Sequence, residues 1–506
     1  HSNGFYAQAC GDPGWEARYH EAIALVTPED VRRVGRQWLR GDQVHVVLLM
    51  GKAASEALAA DGSVALPDEA ALLAGAAKIG APAQAPAGEV RGASEIRNGV
   101  HHLTLSTGDR LLVLPDPTVP VFGVRMAVSG GQREEDAATA GRGRIGAELL
   151  TRGTSQRSAD AISMAVDAMA GEIAAVSGRN SIGISIAGLS QHREAMLGLA
   201  LESLGDFVLP EAELEVARKA QLEEIRHQQD APARQAFRAA GAALFGAHPY
   251  GLDILGSTES VGAIRREPLA TWLRGRLAPG HAVWAACGDV DPEWLAARLE
   301  AGLPRDREAL APPTPPTGSL PTEVLRPRLS SEKAQSHVVL AFPGTRLDAP
   351  DRFALQVLSA VLGGQGGRLF LDLRDKQSLA YSVGASSSEG VDRGSFSFYI
   401  GTAPDKVDAA LAGLYAHIER ARSEKVDAAE LDRARRSLAG SYAIGLQRSG
   451  SRATALCLAE LYGTGTGGWQ AEIDAYLAVT AEDVLAAAQR WLTVGKHVEA
   501  IVGPNG

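Results

Sequence analysis

The sequence contains few cysteines, three in 506 residues, and they stand far apart at Cys10, Cys287 and Cys457. An odd number of scattered thiols predicts neither a disulfide framework nor a cysteine-based metal site. An excess of basic residues is lacking too, since Lys and Arg number 50 against 60 for Asp and Glu. The resulting net charge of −10 argues against a nucleic-acid partner, because phosphate binding requires a basic surface.

Long apolar runs and a leader sequence are also missing. No run approaches the roughly 20 apolar residues that span a bilayer, so we expect a soluble protein without a membrane span. The first residue is His1 rather than Met, and nothing after it resembles a signal peptide. We interpret the chain as a processed or shortened piece of a longer protein, which leaves its compartment open.

An internal repeat is the first positive feature of the sequence. A Thr that caps a helix, acidic residues in the first helical turn, and a later Trp-Leu pair occur near both ends of the chain. An apolar strand is predicted after each copy. The matching segments are 14–15, 27–31 and 37–39 with strand 44–50, and 468–469, 480–484 and 489–492 with strand 498–502. We therefore predict that residues 1–60 are the tail of a peptidase-like domain whose body lies upstream.

Two stretches with few apolar anchors divide the remaining chain. Residues 75–94 are rich in Ala, Gly and Pro, and residues 304–321 are rich in Pro, so we expect a linker at each place, the second one stiff and extended. Residues 95–303 and 322–506 each show strand and helix patterns of one kind. The predicted fold class is α+β, with repeated two-layer modules of sheet and helices. The predicted elements are 101–105, 110–114, 122–128, 143–150, 181–187, 211–245 and 282–288, then 336–342, 351–362 and 394–402.

The stretch from Leu362 to Val383 carries the main candidate site. It begins with glycines that allow a sharp turn and close approach of another chain, namely Gly363, Gly364, Gly366 and Gly367. A short helix is predicted over 368–374 and a strand from residue 379. Arg374 and Tyr381 would then be folded towards the same point, where two hydrogen-bond donors suit a carbonyl oxygen that gains negative charge. The alternative is a solvated helix Arg beside an ordinary strand Tyr.

This stretch resembles the last domain of the pitrilysin/insulinase family of metallopeptidases. The resemblance rests on Gly-Gly-x-x-x-Arg-Leu-Phe, Leu-Arg-Asp-Lys and Leu-Ala-Tyr-Ser-Val. It implies two modules that form half of a clamshell around a chamber. It also implies that Arg374 and Tyr381 act on substrate held at a zinc ion in the other half, with the four glycines near the substrate.

The same resemblance locates a degenerate zinc motif in the middle module. The family's motif is His-x-x-Glu-His on a helix before a Leu-x-x-Gly-Thr turn, and that turn is present at 150–154. The two His positions fall on Arg144 and Glu148, the general-base position falls on Ala147, and the third ligand survives as Glu224. A guanidinium has no lone pair for a metal, and Ala cannot accept a proton. We expect no metal here, and an ion pair of Arg144 with Glu224 or Glu148. The alternative is that all three are ordinary helix-surface residues.

A further segment suggests peptide binding. Asn180 precedes the strand over 182–187, at the place where the family's catalytic domain offers an edge strand to substrate. Since the site beside it is degenerate, an ordinary strand inside the sheet is the favoured alternative.

Two functions are compatible with these features. The first is the non-catalytic C-terminal portion of a bacterial zinc metalloendopeptidase that degrades or processes peptides, in the cytoplasm or periplasm. This chain alone would then be inactive and without a cofactor. Its partner would be a catalytic zinc-bearing half, covalently attached or separate. The second is a proteolytically inactive scaffold or peptide-binding subunit of the same fold. The retained Arg374 and Tyr381 favour the first.

Overall fold

The computed structural model describes residues 2–12, 14–39, 94–311, 314–315, 318–465 and 468–504. These residues belong to two units, 1–78 and 79–506. The predicted strand over 44–50 and the predicted linker over 75–94, except its last residue, lie outside the described residues. None of the described helices is long and apolar enough to cross a membrane.

The first unit contains three described helices, and the third begins where the sequence predicts a cap. The last of them begins after Thr27, whose side chain accepts a hydrogen bond from the backbone N–H of Asp30 while Asp30 bonds back to Thr27. This capping box confirms the predicted cap. The helices are α1 (Ser2–Cys10), α2 (Trp15–Ala24) and α3 (Pro28–Trp38).

The second unit begins with a mixed sheet of seven described strands in the order β1-β2-β3-β7-β4-β6-β5. All neighbours are antiparallel except β3 and β7, which are parallel. The strands predicted at 101–105, 110–114, 122–128, 181–187 and 282–288 are confirmed, and each places apolar side chains in a core. The strands are β1 (Ser94–Arg97), β2 (Val100–Thr104), β3 (Arg110–Pro115), β4 (Val121–Ser129), β5 (Glu172–Ser177), β6 (Ser181–Leu189) and β7 (Val283–Gly288).

Helices cover one face of this sheet around a core that includes Ile145, Leu149, Ile184 and Trp284. The predicted long helix over 211–245 is two helices, because Pro232 lacks the N–H that a continuous helix needs. The helices are α4 (Arg142–Leu149), α5 (Ala159–Ala168), α6 (Arg193–Gly205), α7 (Glu211–Gln229), α8 (Pro232–Phe245), α9 (Thr258–Ala263), α10 (Arg266–Arg276) and α11 (Pro292–Gly302).

A second sheet of five described strands follows, in the order β10-β11-β9-β12-β8. Phe342, Phe396 and Phe398 are fully buried beneath its helices. The strands are β8 (Arg328–Ser330), β9 (Ser336–Gly344), β10 (Ala380–Ser388), β11 (Gly394–Thr402) and β12 (Val498–Gly503). The helices are α12 (Arg352–Leu362), α13 (Val407–Ser423), α14 (Ala428–Gly445), α15 (Ser449–Leu461), α16 (Trp469–Ala478) and α17 (Ala481–Trp491). The predicted α+β class is confirmed.

The two sheets exchange helices across their second faces. Helix α15 packs on β4 and β7, and α8 packs on β9 and β12. The approach of α15 is so close that a Cβ atom at Gly123 would lie 2.5 Å from the backbone nitrogen of Gly450. This reciprocal packing holds the regions that carry the two candidate sites in one folded body.

Candidate functional site

The turn after α12 contains glycines at positions where a side chain would clash with or strain the backbone. Gly364 has a φ of +73°, in the left-handed region that favours glycine. A Cβ atom at Gly367 would lie 1.9 Å from the carbonyl oxygen of Gly363, so no other residue fits there. A Cβ at Gly364 would meet nothing within 4 Å, and one at Gly366 only Arg433 at 3.7 Å. Of the four glycines proposed to lie near substrate, Gly364 and Gly366 therefore have open space beside them.

The helix that follows the turn holds Arg374 firmly. It includes a π-helical segment, Phe370–Lys376, in place of a regular end at residue 374. Leu369 and Leu373 are fully buried and anchor the helix to the core. Before it, the buried Arg368 side chain binds Glu430 through Nε and Nη2 at 2.9 and 2.5 Å. These buried leucines and the Arg368–Glu430 pair thus fix the backbone that carries Arg374.

The chain then turns sharply towards β10. Ser378 has a φ of +51°, and the N–H of Leu379 donates to the carbonyl oxygen of Leu373 at 2.8 Å. Thr402 Oγ1 donates to the carbonyl oxygen of Leu379 at 2.6 Å. The register of β10 against β11 then skips Tyr381, since Ala380 pairs with Thr402 and Ser382 with Gly401. Tyr381 is therefore an extra residue in a bulge, a device that re-aims a side chain.

The structure brings Arg374 and Tyr381 together. The Arg374 guanidinium carbon lies 4.9 Å from the centre of the Tyr381 ring and 4.3 Å from that of Phe370. Tyr381 is 78% exposed. Among the described residues, no carboxylate lies within the 4.0 Å of an ion pair with Arg374, and no hydrogen bond uses its guanidinium or the Tyr381 hydroxyl. Stacking fixes the guanidinium plane and leaves its N–H groups available.

Phe370 also belongs to this site, beside the two residues that the sequence predicts. It precedes Arg374 by four residues, so the two side chains are neighbours on one helix face. That spacing was a signal for the contact. The site thus contains the predicted guanidinium and phenol, together with a phenylalanine ring in contact with the guanidinium.

The degenerate zinc motif lies on α4, facing α7. Arg144 Nη2 lies 2.6 Å from Glu224 Oε2, and the two side chains are about four-tenths exposed. Glu148 instead accepts from Arg152, which follows the end of α4, at 3.2 Å. Ala147 is buried and lines a cavity of about 590 Å³ with Arg144, Glu148 and residues of β5.

These residues do not fit a zinc ion. The Arg144 guanidinium donates a hydrogen bond to one oxygen of Glu224 and has no lone pair with which to bind a metal itself. Zinc needs three or four N, O or S ligands around one point, and the described residues contain no cluster of three His, Cys, Asp or Glu side chains arranged for a metal. Glu148 and Glu224 are each neutralised by an arginine instead.

The edge-strand interpretation of Asn180 is wrong. Strand β6 begins at Ser181 and pairs with β4 on one side and β5 on the other, so its backbone cannot add a peptide strand. The Asn180 side chain accepts a hydrogen bond from the Tyr250 hydroxyl. Beside β6 the sheet ends at β5, whose Ala-rich sequence lacks the alternation that marks a strand. The alternative, an ordinary strand inside the sheet, is correct.

The buried thiols offer no second site. Cys287 and Cys457 are free and fully buried between β7 and α15. Burial raises the pKa of each thiol to about 12, so neither is a thiolate near neutral pH. They act as small apolar residues in the contact between the two sheets.

Two sequence profiles match the part of the chain that holds both sites. Residues 110–258 match the profile described as Insulinase (Peptidase family M16). Residues 263–438 match the profile described as Peptidase M16 inactive domain.

Related proteins cover most of the chain. An uncharacterized zinc protease of Mycobacterium tuberculosis is 31% identical over 412 residues, which are 80% of this chain and 93% of that protein. An uncharacterized zinc protease of Streptomyces coelicolor is 29% identical over 419 residues, 80% of this chain and 90% of that protein.

Solved structures share the fold. A crystal structure of a peptidase M16 inactive domain from Pseudomonas fluorescens aligns with a TM-score of 0.73 and 23% identity, over 80% of this chain and 98% of that one. A chain of complex III2 from Candida albicans aligns with a TM-score of 0.67 and 18% identity, over 80% and 95%. At these identities the likeness shows the fold alone.

Proposed function

This chain belongs to the insulinase (peptidase M16) family, and on that basis we propose that it is the non-catalytic half of a zinc metalloendopeptidase. In this proposal Arg374 and Tyr381 bind the backbone carbonyl of a peptide that a zinc-bearing half cleaves. The chain by itself is then neither a metal-binding protein nor a peptidase.

The observation that supports this role is the pairing of Arg374 with Tyr381. An arginine kept for stability alone is usually paired with a carboxylate, as Arg368 is with Glu430. The Arg374 guanidinium instead lies over the rings of Phe370 and Tyr381, and the phenol is exposed. Such fixed, unused donors are what the stabilisation of a developing oxyanion requires, because they need no reorganisation when charge appears.

The same donors suit peptides rather than a particular side chain. A carbonyl oxygen accepts from both an N–H and an O–H donor, and every peptide bond carries one. The π-helical segment and the bulge at Tyr381 set the distance between the two donors through the backbone. The two donors hold and orient the scissile carbonyl. This orientation costs less entropy because the donors are already ordered before the peptide binds.

The degenerate motif supports placing the metal in another half. Arg144 and Ala147 stand where the family's motif has a ligand and the general base, so hydrolysis depends on a polypeptide that carries His-x-x-Glu-His. The exposed pair would have no use in a scaffold that only packs against partners, which is why the peptidase function is preferred.

The test measures zinc content and cleavage of a fluorescence-quenched peptide for this chain, for the zinc-bearing half, and for the mixture. We expect no bound zinc and no turnover for this chain alone, and turnover in the mixture well above that of the zinc-bearing half. Stoichiometric zinc in this chain alone would refute the proposal, as would a mixture no faster than the zinc-bearing half.

A further inference from the structure

A second exposed arginine without a counter-charge lies at the tip of the hairpin between β5 and β6. Arg179 is exposed, and its guanidinium carbon lies 5.5 Å from the centre of the Tyr250 ring. In the part of the chain that the structure describes, no carboxylate lies within ion-pair distance of Arg179, and its guanidinium makes no hydrogen bond. A guanidinium is always charged and carries five N–H donors, so this side chain is available to bind an anion.

The backbone of this tip is fixed by the segment that precedes α4. The N–H of Arg133 donates to the carbonyl oxygen of Arg179 at 2.8 Å, and the N–H of Gln132 donates to that of Gly178 at 3.2 Å. A Cβ atom at Gly131 would lie 2.1 Å from the Gly178 carbonyl oxygen, so the two segments are in close contact. Because the backbone of Arg179 is already ordered, less entropy is lost when the side chain binds a ligand.

The aromatic ring beside Arg179 is fixed as well. Tyr250 is 2% exposed, and its hydroxyl donates to the side chain of Asn180, the next residue of the tip. A Cβ atom at Gly390 would lie 2.8 Å from the Tyr250 ring, so the loop between β10 and β11 packs against this ring. An arginine held over an aromatic ring keeps its N–H groups available, as Arg374 does over Phe370.

The tip lies where the first sheet meets the strand that begins at the carbonyl-binding pair. Arg133 binds Asp392, in the loop between β10 and β11, from Nε to Oδ2 at 2.6 Å and from Nη2 to Oδ1 at 3.0 Å. The carboxylate of this joint is therefore already occupied and does not neutralise Arg179. Strand β10 leads from Tyr381 to Ser388, just before the same loop, over about seven residues or roughly 23 Å of extended chain.

Open space adjoins the tip on the side of the first sheet. The cavity of about 590 Å³ beside the degenerate motif is lined by β5 as far as Ser177, two residues before Arg179. A peptide that reaches the tip therefore has room to continue along this cavity.

We propose that Arg179 binds a carboxylate of the peptide, about seven residues from the carbonyl that Arg374 and Tyr381 hold. The guanidinium donates two parallel hydrogen bonds to the two carboxylate oxygens, which match its fixed geometry. The carboxylate belongs to an acidic side chain or to the C-terminus of the peptide. That the ligand is a peptide rests on the proposed function, whereas the carboxylate site itself rests on the surroundings of Arg179. Acidic peptides are then preferred over neutral ones of the same length.

The first test measures peptide binding to the full chain by fluorescence anisotropy. The probes are labelled, C-terminally amidated peptides of Ala, Ser and Thr that carry one Glu, placed at each position in turn, and their Gln counterparts. At the best position we expect the Glu peptide to bind about tenfold more tightly than its Gln counterpart. Arg179→Gln should remove this difference. Arg436→Gln is the control of equal charge, because Arg436 is 75% exposed and already pairs with Asp432 on α14, and it should keep the difference.

Two results would overturn the proposal. One is equal affinity of the wild type for Glu and Gln peptides at every position. The other is a preference for Glu that survives Arg179→Gln. Urea unfolding of Arg179→Gln should match that of the wild type, because the side chain is exposed.

A second set of peptides identifies the source of the carboxylate. The Gln peptides are compared as free C-terminal acids and as amides. Tighter binding of the acid, lost in Arg179→Gln, would assign the site to the C-terminus of the peptide. A difference confined to the internal Glu would assign it to an acidic side chain.

The third test measures cleavage of the best Glu peptide, in quenched form, by the mixture with the zinc-bearing half. Arg179→Gln should raise KM about tenfold and leave kcat within about twofold, because the carboxylate is bound away from the reacting carbonyl. A lowered kcat with an unchanged KM would overturn the proposal.

These outcomes are separable from the proposed function. If the wild type shows no preference for Glu while Tyr381→Phe still lowers turnover, the carboxylate site is wrong and the peptidase role stands. If Arg179→Gln loses the preference while Tyr381→Phe turns over normally, the carboxylate site stands and the assigned carbonyl-binding role is wrong.

Discussion

Arg144 Nη2 lies 2.6 Å from Glu224 Oε2, so a cation and a carboxylate from α4 and α7 meet where the family's motif would place metal ligands. We interpret this ion pair as a substitute for the charge of a metal ion. The two helices still face each other across the cavity that Ala147 and Glu148 line. We propose that the groove of a metal site is kept here while arginine and alanine replace a ligand and the base.

Restoring the motif should restore metal binding. The combined variant Arg144→His, Ala147→Glu and Glu148→His places two imidazoles four residues apart on α4, opposite the retained Glu224. We expect about one zinc ion per chain after dialysis, measured by atomic emission, against none for the wild type.

The control adds Glu224→Ala to the same three changes and removes the third ligand. Its zinc affinity, measured by competition with a chelator, should fall clearly below that of the triple variant. A folded triple variant without zinc would mean that α4 and α7 do not face each other as described.

The glycine turn offers a matched pair of substitutions. Gly367→Ala forces a Cβ atom to within 1.9 Å of the Gly363 carbonyl oxygen and should lower the free energy of unfolding by about 1–3 kcal/mol or more. Gly366→Ala meets only a distant arginine and should leave stability unchanged or raise it by up to about 1 kcal/mol. Urea unfolding of both variants measures this difference. Equal stabilities would show that the turn is looser than described.

Acid should destabilise the protein through buried histidines. Burial lowers the pKa of His248 and His497 below the ordinary value of 6.5. Each imidazole therefore binds a proton more readily in the unfolded chain. The contribution of each histidine to the free energy of unfolding is thus complete above about pH 6.5 and is lost as pH falls below that value. We expect a lower free energy of unfolding at pH 5.5 than at pH 7.5.

The variant His497→Gln should show a smaller loss over the same range, because one titrating group is removed while a polar side chain remains near Tyr415. An unchanged pH dependence in His497→Gln would exclude that histidine as a source of the effect.

Local patterns were sufficient for much of the fold. Strand β11 alternates Phe396, Phe398 and Ile400 with smaller residues, and both capping Thr residues start helices where predicted. The order of helix, turn and strand allowed Arg374 and Tyr381 to meet, but the family resemblance was needed to prefer a site over an ordinary Arg beside a strand Tyr. These features depend on neighbours along the chain, which the sequence displays directly.

Features set by distant contacts were missed or misplaced. The bulge at Tyr381 depends on the bond from Thr402 to Leu379, which comes from another strand. Strand β6 was considered as an edge because strand order is decided by pairing partners rather than by its own residues. Strand β5 was not predicted, because Ala174 and Ala175 give it no apolar alternation.

The central claim is that the Tyr381 hydroxyl stabilises the carbonyl oxygen of a bound peptide. The most direct measurement is kcat of Tyr381→Phe in the mixture with the zinc-bearing half, with Tyr442→Phe as a control on a tyrosine away from the site. Loss of one oxyanion donor should lower kcat about a hundredfold or more, with unchanged unfolding and association. A kcat equal to that of the wild type would contradict the account.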